Sequence, residues 1–107
     1  MKASNTHDWQ KMASYYANDV VLEDPSQATP VIGSAGIAAK YAGYAEYIPD
    51  IQDSIIHLYV NDRHVVIEFI SYGTTVEGDT FSLPICSILT IDDGKIIRDA
   101  NYYDLKN

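Results

Sequence analysis

The chain has 107 residues, of which 47% are hydrophobic and 21% are charged. This length and composition predict one globular domain, residues 1–107, and exclude a disordered chain. The formal net charge of −8 argues against nucleic acid and anionic membranes as partners, because neither would be attracted to it.

Targeting and metal-binding patterns are missing from the sequence. No apolar run approaches the ~20 residues of a membrane span. The first five residues hold no signal-peptide core, so we expect a cytoplasmic protein. A single cysteine and three widely spaced histidines, His7, His57 and His64, predict neither a disulfide nor a metal site.

Two helices are predicted in the first half of the chain, with a short buried strand between them at residues 20–22. The first helix begins near His7 and ends near residue 18, and the second covers about residues 35–47. The apolar stripe of the first helix consists of Trp9, Met12, Tyr15 and Tyr16. Pro49 ends the second helix, because proline disfavours helix in the residue before it.

The second half changes to a strand pattern that is rich in Val, Ile, Thr, Phe and Tyr. Strands are predicted at residues 54–60, 64–72, 80–91 and 95–103. Hairpin turns at residues 61–62 and 92–94 join them, with a longer connection at residues 73–79. Helices followed by a meander predict an α+β domain, in which a curved antiparallel sheet wraps around the helices and leaves a cone-shaped cavity.

Asp24 stands between the buried strand and Pro25, and two interpretations of it are open. Asp and Pro are common turn residues, so Asp24 can simply start a turn. Alternatively, the strand end holds this carboxylate at the mouth of the cavity, where desolvation would raise its pKa and suit it to act as a general base.

Three stretches resemble the NTF2-like (cystatin-like) superfamily, and most of all its ketosteroid isomerases and SnoaL-like polyketide cyclases. They are residues 16–25 with the Pro30, Gly33 and Ile37 that follow, residues 83–86, and the turn at residues 92–96. The resemblance extends over about residues 6–104 and implies the NTF2-like cone. It identifies the fold better than the reaction, because this superfamily contains isomerases, cyclases, hydrolases and non-enzymes.

In the isomerases, the resemblance places Asp24 on the general base and Tyr41 on a tyrosine that supports the oxyanion hole. Cys86 replaces the pocket acid that donates to the oxyanion and is a much weaker donor. A tyrosine donor of the family's first helix has no counterpart here, either because it is lost or because the sequence begins after it. Each lost donor typically costs ~10²–10³ in rate, which argues against steroid isomerisation.

The last strand supplies other polar groups. Alternation with a period of two residues puts Asp99, Asn101 and Tyr103 on one face, preceded by Ile97. The resemblance implies that this face lines the pocket and that Asp99, like the late-strand aspartate of cyclases and epoxide hydrolases, acts as acid or base. Two carboxylates in one dry cavity should not both ionise near neutral pH. A register slip of one residue would instead leave Asp99 on the surface near Arg98.

The remaining predicted contacts come from the middle strands and the first helix. Phe69 and Cys86 are expected to line the pocket together with Tyr16. The opposite, outer face of the sheet carries Ile70 and Tyr72. This face is too apolar to be left in solvent, so we expect a homodimer that forms through it.

Together these observations predict an apolar pocket for a small hydrophobic carbonyl compound. Asp24 and Asp99 would be catalytic residues for isomerisation or cyclisation without a cofactor or metal. Tyr16, Tyr41, Phe69, Cys86, Asn101 and Tyr103 would contact the substrate. The alternative is a non-catalytic module of the same fold that holds a small ligand or a protein partner.

Overall fold

A computed structural model describes residues 5–104 of the chain. Two helices, α1 (Trp9–Ala13) and α2 (Ser34–Tyr47), pack on one side of a sheet. The strands of this sheet are β1 (Tyr16–Glu23), β2 (Val31–Ile32), β3 (Gln52–Asn61), β4 (His64–Thr74), β5 (Thr80–Asp92) and β6 (Lys95–Tyr102). The predicted α+β NTF2-like cone is confirmed, and the four long strands fall where the sequence placed them.

The six strands form one open sheet in the order β2-β1-β6-β5-β4-β3. Four of the neighbouring pairs are antiparallel, but β1 and β6 pair in parallel, with Leu22 opposite Asp99. The sheet is therefore mixed rather than wholly antiparallel. This pairing makes β6 an interior strand, so its side chains lie near the middle of the sheet.

The first helix is much shorter than its apolar stripe suggested. Asp8 caps it by accepting a 3.1 Å hydrogen bond from the Lys11 amide, and the helix ends at Ala13. Tyr16 therefore begins β1 rather than ending α1. Over so short a stretch, the apolar pattern does not distinguish the end of a helix from the start of a strand. Tyr16 belongs to the strand because it pairs with Ile96 of β6.

Both predicted hairpin turns are present and rest on left-handed backbone. Asp62 has φ 53° between β3 and β4, whereas Asp93 and Gly94 have φ 51° and 74° between β5 and β6. Asp and Gly tolerate positive φ better than most residues, which is why these positions turn the chain.

The core lies where α2 packs on β1. Val20, Leu22 and Ile37 are fully buried there together with Met12, and Trp9 and Tyr41 pack against this cluster. Farther along the sheet, the helices no longer touch β4 and β5 closely, and the space between them remains open. Among residues 5–104, no helix has the length and apolar character needed to cross a membrane.

Candidate functional site

A cavity of about 690 Å³ lies between the helices and the concave face of the sheet. Its walls are mostly apolar and aromatic, with Trp9 and Tyr41 from the helical side and Phe69 from β4. The polar groups are few, which is typical of a pocket for a small apolar molecule.

Seven of the eight predicted site residues border this cavity: Tyr16, Asp24, Tyr41, Phe69, Asp99, Asn101 and Tyr103. Cys86 does not. Cross-strand pairing puts Cys86 opposite Glu68, whereas its neighbours Ile85 and Ser87 point into the cavity. The expectation that Cys86 contacts substrate is corrected by this register, because adjacent residues of a strand face opposite sides.

Asp99 is the most buried carboxylate at the site, with 3% of its surface exposed. Its Oδ2 accepts a 2.9 Å hydrogen bond from the Tyr16 hydroxyl. Its Oδ1 is buried without a hydrogen-bond partner among the described residues. A buried polar atom is seldom left unpaired, so Oδ1 is the atom of this cavity that has the most to gain from a ligand.

Burial raises the pKa of Asp99 to about 6, against a smaller lowering by the Tyr16 hydrogen bond and with a further increase from the charge of Asp24. Burial and the Asp99 charge also raise the pKa of Tyr16 well above its usual value. Tyr16 therefore keeps its proton and is the donor, while Asp99 can take up or release a proton close to neutral pH.

Asp24 follows β1 at the cavity wall. It starts a turn, as the first interpretation expected, and it also borders the cavity, as the second expected. Its Oδ1 accepts hydrogen bonds from the Ser26 amide at 2.9 Å and the Ser26 hydroxyl at 2.7 Å, which makes the expected turn. The Tyr103 hydroxyl donates to the same oxygen. The ammonium of Lys40 lies 3.5 Å from Oδ2.

The expected rise in the pKa of Asp24 is wrong. Burial raises this pKa, but the hydrogen bonds from Tyr103 and Ser26 and the charge of Lys40 outweigh burial and lower it below its usual value. Asp24 is therefore a fixed negative charge at neutral pH, whereas Asp99 is the carboxylate that titrates. The pKa values of the two carboxylates are separated, with the higher value on Asp99. A pKa of about 6 nevertheless leaves Asp99 mostly ionised at pH 7, so the expectation that they do not both ionise near neutral pH is not met.

Tyr41 lies between the acidic groups. Burial raises its pKa well above the usual value, and the charges of Asp99, Asp53 and Asp24 add to the rise. Its ring stacks on Trp9 at a centroid distance of 6.4 Å. The Tyr41 hydroxyl thus stays protonated on the cavity wall as a hydrogen-bond donor.

The face of β6 that borders the cavity is set by a bulge. Thr90 pairs with Arg98 but Ile91 pairs with Ile96, so Ile97 is an extra residue in the ladder. Asp99 and Asn101 face inward as predicted, and Ile96 rather than Ile97 precedes them on that side.

Asn101 is held from the neighbouring strand. Ser87, its cross-strand partner on β5, donates a hydrogen bond to the Oδ1 of Asn101. That bond uses the acceptor of the amide and leaves its NH₂ group as the donor toward the cavity.

Asp53 and its cross-strand partner Ser71 also line the cavity and were missed as site residues. The predicted strand began one residue after Asp53. Ser71 is two residues from Phe69 on β4, so alternation puts both on the inward face. A polar residue two positions from an inward apolar one is the signal that would have found Ser71, and the cross-strand pairing of Ser71 then identifies Asp53.

Within residues 5–104, no three His, Cys, Asp or Glu side chains are arranged to hold a metal ion.

Comparison with known proteins agrees with this architecture. A family model described as a SnoaL-like domain matches residues 1–99. No curated protein matches the sequence.

Several solved structures share the fold. A hypothetical protein with a ketosteroid isomerase-like fold from Catenulispora acidiphila, in complex with trimethylamine, has a TM-score of 0.87 and 22% identity, covering 96% of this chain and 80% of that one. A putative polyketide cyclase from Xanthomonas campestris has a TM-score of 0.82 and 26% identity, with 97% and 84% covered. An epoxide hydrolase from M. tuberculosis has a TM-score of 0.81 and 16% identity, with 97% and 76% covered.

Proposed function

This chain belongs to the family of SnoaL-like domains, and from that premise we propose that it catalyses proton transfer beside the carbonyl group of a small hydrophobic molecule. The reaction would be an isomerisation or an aldol-type cyclisation. The similar structures have names from different reaction classes. Support for proton transfer therefore comes from the site of this chain rather than from its fold.

The observation that carries the proposal is the state of Asp99. Its pKa of about 6 is close to neutral pH, and its Oδ1 borders an apolar cavity without a hydrogen-bond partner among residues 5–104. That oxygen can therefore reach a ligand and exchange a proton with it. General acid–base catalysis is most effective under those conditions. Asp24 has neither property: its pKa is lowered, its Oδ1 accepts three hydrogen bonds, and its Oδ2 lies 3.5 Å from the Lys40 ammonium.

In the proposed step, Oδ1 of Asp99 takes a proton from the carbon beside the carbonyl. The C–H electron pair forms a C=C bond, and the carbonyl π pair moves onto the oxygen. Tyr41 and the NH₂ group of Asn101 donate hydrogen bonds to that oxygen as its negative charge develops. Where the substrate also has a β,γ C=C bond, Asp99 returns the proton to the γ carbon as the C=O bond re-forms, which moves the double bond and isomerises the substrate. In a cyclisation, the nucleophilic carbon instead bonds to a second carbonyl carbon, whose oxygen receives the proton.

Tyr16 and Asp24 have supporting parts in this scheme. Tyr16 holds the Asp99 carboxylate in place through the 2.9 Å hydrogen bond. Asp24 adds a fixed negative charge that raises the pKa of Asp99 and so strengthens it as a base.

The proposal is tested with a neutral bicyclic ketone, 2-tetralone, as a probe that fits the volume of the cavity. The protein should accelerate the exchange of the ketone's acidic C–H protons for deuterium in D₂O. Proton NMR measures the rate of this exchange. Asp99→Asn should reduce the protein-dependent rate by about 10²–10⁴-fold, the usual contribution of one acid–base group.

Asp24→Asn is the matched variant, since it also replaces a cavity carboxylate by an amide. Under the proposal, exchange persists in this variant with a lower pH midpoint. Loss of exchange on Asp24→Asn with retention on Asp99→Asn would transfer the role of base to Asp24. No acceleration by the wild-type protein above buffer would favour a non-catalytic binding module.

A further inference from the structure

The cavity is elongated along β5. Alternate residues of this strand line it, from Phe81 at one end to Ile91 ten positions later. A strand rises about 3.3 Å per residue, so the lined part of β5 is up to about 33 Å long. A compact cavity of 690 Å³ would be about 11 Å across, which is the length of only three or four strand residues. The cavity is therefore a channel and not a rounded pocket.

The channel is also narrow. Spread over the lined length of β5, the cavity volume of 690 Å³ leaves a mean cross-section of about 20 Å². One extended alkyl chain has this width, whereas a row of fused rings is wider.

Asp99 lies close to one end of the channel. It pairs with Leu89 on β5, which is two residues from Ile91 and eight from Phe81. A carbonyl group at Asp99 therefore has about 7 Å of channel on one side, the short arm, and up to about 26 Å on the other, the long arm. A ligand that fills the channel has its carbonyl group near one end.

Apolar side chains in the long arm are incompletely packed. Phe69 and Ile85 lie opposite each other on β4 and β5, and Leu83 and Phe81 continue the apolar wall toward the end of the arm. The three residues of β5 face inward but are only half-buried, whereas Val20 beneath α2 is fully buried. An apolar ligand in the long arm would remove their remaining surface from water, which stabilises the complex.

The polar side chains of Asp53 and Ser71 border the long arm on the β3 side. They pair across β3 and β4 in the same row as Leu83, and the Ser71 hydroxyl donates a hydrogen bond to the Asp53 carboxylate. An alkyl chain that follows β5 passes this pair without breaking its hydrogen bond.

We propose that the ligand of this cavity is an open-chain ketone with its carbonyl group near one end and a long unbranched alkyl chain on the other side. The carbonyl group lies at Asp99, and the chain follows β5 through the long arm toward Phe81. The position of the carbonyl group rests on the proposed function, and the length and direction of the chain rest on the shape of the channel.

The test uses three methyl ketones of increasing length: 2-hexanone, 2-nonanone and 2-dodecanone. Affinities are measured at pH 7 by NMR titration of the full chain. Each step adds three CH₂ groups, and because one buried CH₂ group strengthens binding by up to about fourfold, each step should raise the affinity at least about tenfold. A smaller gain from 2-nonanone to 2-dodecanone would mean that the added carbons find no apolar wall, and it overturns the proposal.

Two matched variants of β5 show the direction in which the chain lies. Ile85→Trp puts a large ring across the long arm and should lower the affinity for 2-dodecanone at least about tenfold, while 2-hexanone binds as it does to the wild type. Ile91→Trp puts the same ring in the short arm and should leave the ratio of these two affinities unchanged. A ratio that falls as far in Ile91→Trp as in Ile85→Trp would overturn the proposed direction. If Ile85→Trp does not fold, Ile85→Phe gives the same comparison with less added bulk.

Binding is measured without turnover, so the outcome is separate from that of the 2-tetralone exchange experiment. Affinity that rises with chain length in a protein that exchanges no ketone protons would support the alkyl channel and refute the proposed catalysis. Exchange of 2-tetralone protons without any gain in affinity from a longer chain would do the reverse.

Discussion

The Tyr16 hydroxyl donates a 2.9 Å hydrogen bond to Asp99 across the parallel pair formed by β1 and β6. The bond joins residues 83 positions apart in the sequence, and its donor cannot ionise at neutral pH because burial and the Asp99 charge raise the pKa of Tyr16. It therefore stabilises the charged form of Asp99 against the burial that disfavours this form.

Tyr16→Phe should shift the pH dependence of ketone exchange. The Tyr16 hydrogen bond lowers the pKa of Asp99, which lies at about 6; without it, the pKa of Asp99 rises. The basic form then appears only at higher pH, so the midpoint of the rate profile moves above about 6. Tyr59→Phe, on the outer face of β3, is the control, and its profile should match the wild type. A midpoint that moves down contradicts the assignment.

Asp99→Asn should stabilise the fold in a pH-dependent way. The folded pKa of about 6 exceeds the unfolded value of ~3.9, so ionisation in the fold carries a free-energy cost that is absent below pH ~4 and complete above pH ~6. The stability difference between variant and wild type should therefore grow by about 2 kcal/mol between pH 4 and pH 7. Urea unfolding at both pH values measures this change. A difference independent of pH would mean that Asp99 is not the perturbed group.

Replacing either of two glycines by alanine should change the stability of the fold, in opposite directions at the two positions. Gly43 in α2 has no neighbouring atoms within 4 Å of an added Cβ, so Gly43→Ala should stabilise by about 0.5–1 kcal/mol through helix propensity. At Gly73, an added Cβ would meet Ile48 Cγ2 at 2.6 Å, Asp50 Oδ1 at 2.9 Å and the Ile51 backbone at 3.2 Å. Gly73→Ala should therefore destabilise by about 1–3 kcal/mol. Thermal unfolding of the pair checks both signs, and a stabilised Gly73→Ala would contradict the contact.

The outer face of the sheet should pair two copies of the chain. Tyr59, Tyr72 and Tyr102 on that face are 53%, 45% and 54% exposed, and they flank the apolar side chains of Ile70 and Ile88. A second copy offers the same apolar surface, and a two-fold axis would bury both. The wild type should sediment as a dimer in analytical ultracentrifugation, and Ile70→Glu should sediment as a monomer. A wild-type monomer at micromolar concentration would refute this expectation.

The parts of the fold that follow from local chemistry were predictable. The Asp93-Gly94 turn has residues that accept positive φ, and the long strands are rich in Val, Ile, Thr, Phe and Tyr. The inward position of Phe69 likewise follows from simple alternation. These features depend on residues close together in the sequence.

What the sequence did not reveal depends on distant neighbours. The lowered pKa of Asp24 arises partly from Tyr103, 79 positions away, and no local pattern announces that contact. The parallel pairing of β1 with β6 places Tyr16 in a strand although its spacing also fits a helix. The outward position of Cys86 is fixed by its pairing with Glu68, whereas the resemblance to a pocket acid had suggested the reverse.

The single extra residue in the β6 ladder decides which side chains the cavity receives. Because Ile97 is left out of the pairing just upstream of Asp99, Asp99 lies opposite Leu89 on the inward face. If Ile97 paired with Thr90 in an even ladder, every later residue would shift by one position, and Arg98 and Ala100 would turn inward in place of Asp99 and Asn101. The bulge thus separates an acidic interior from a basic one on the same scaffold.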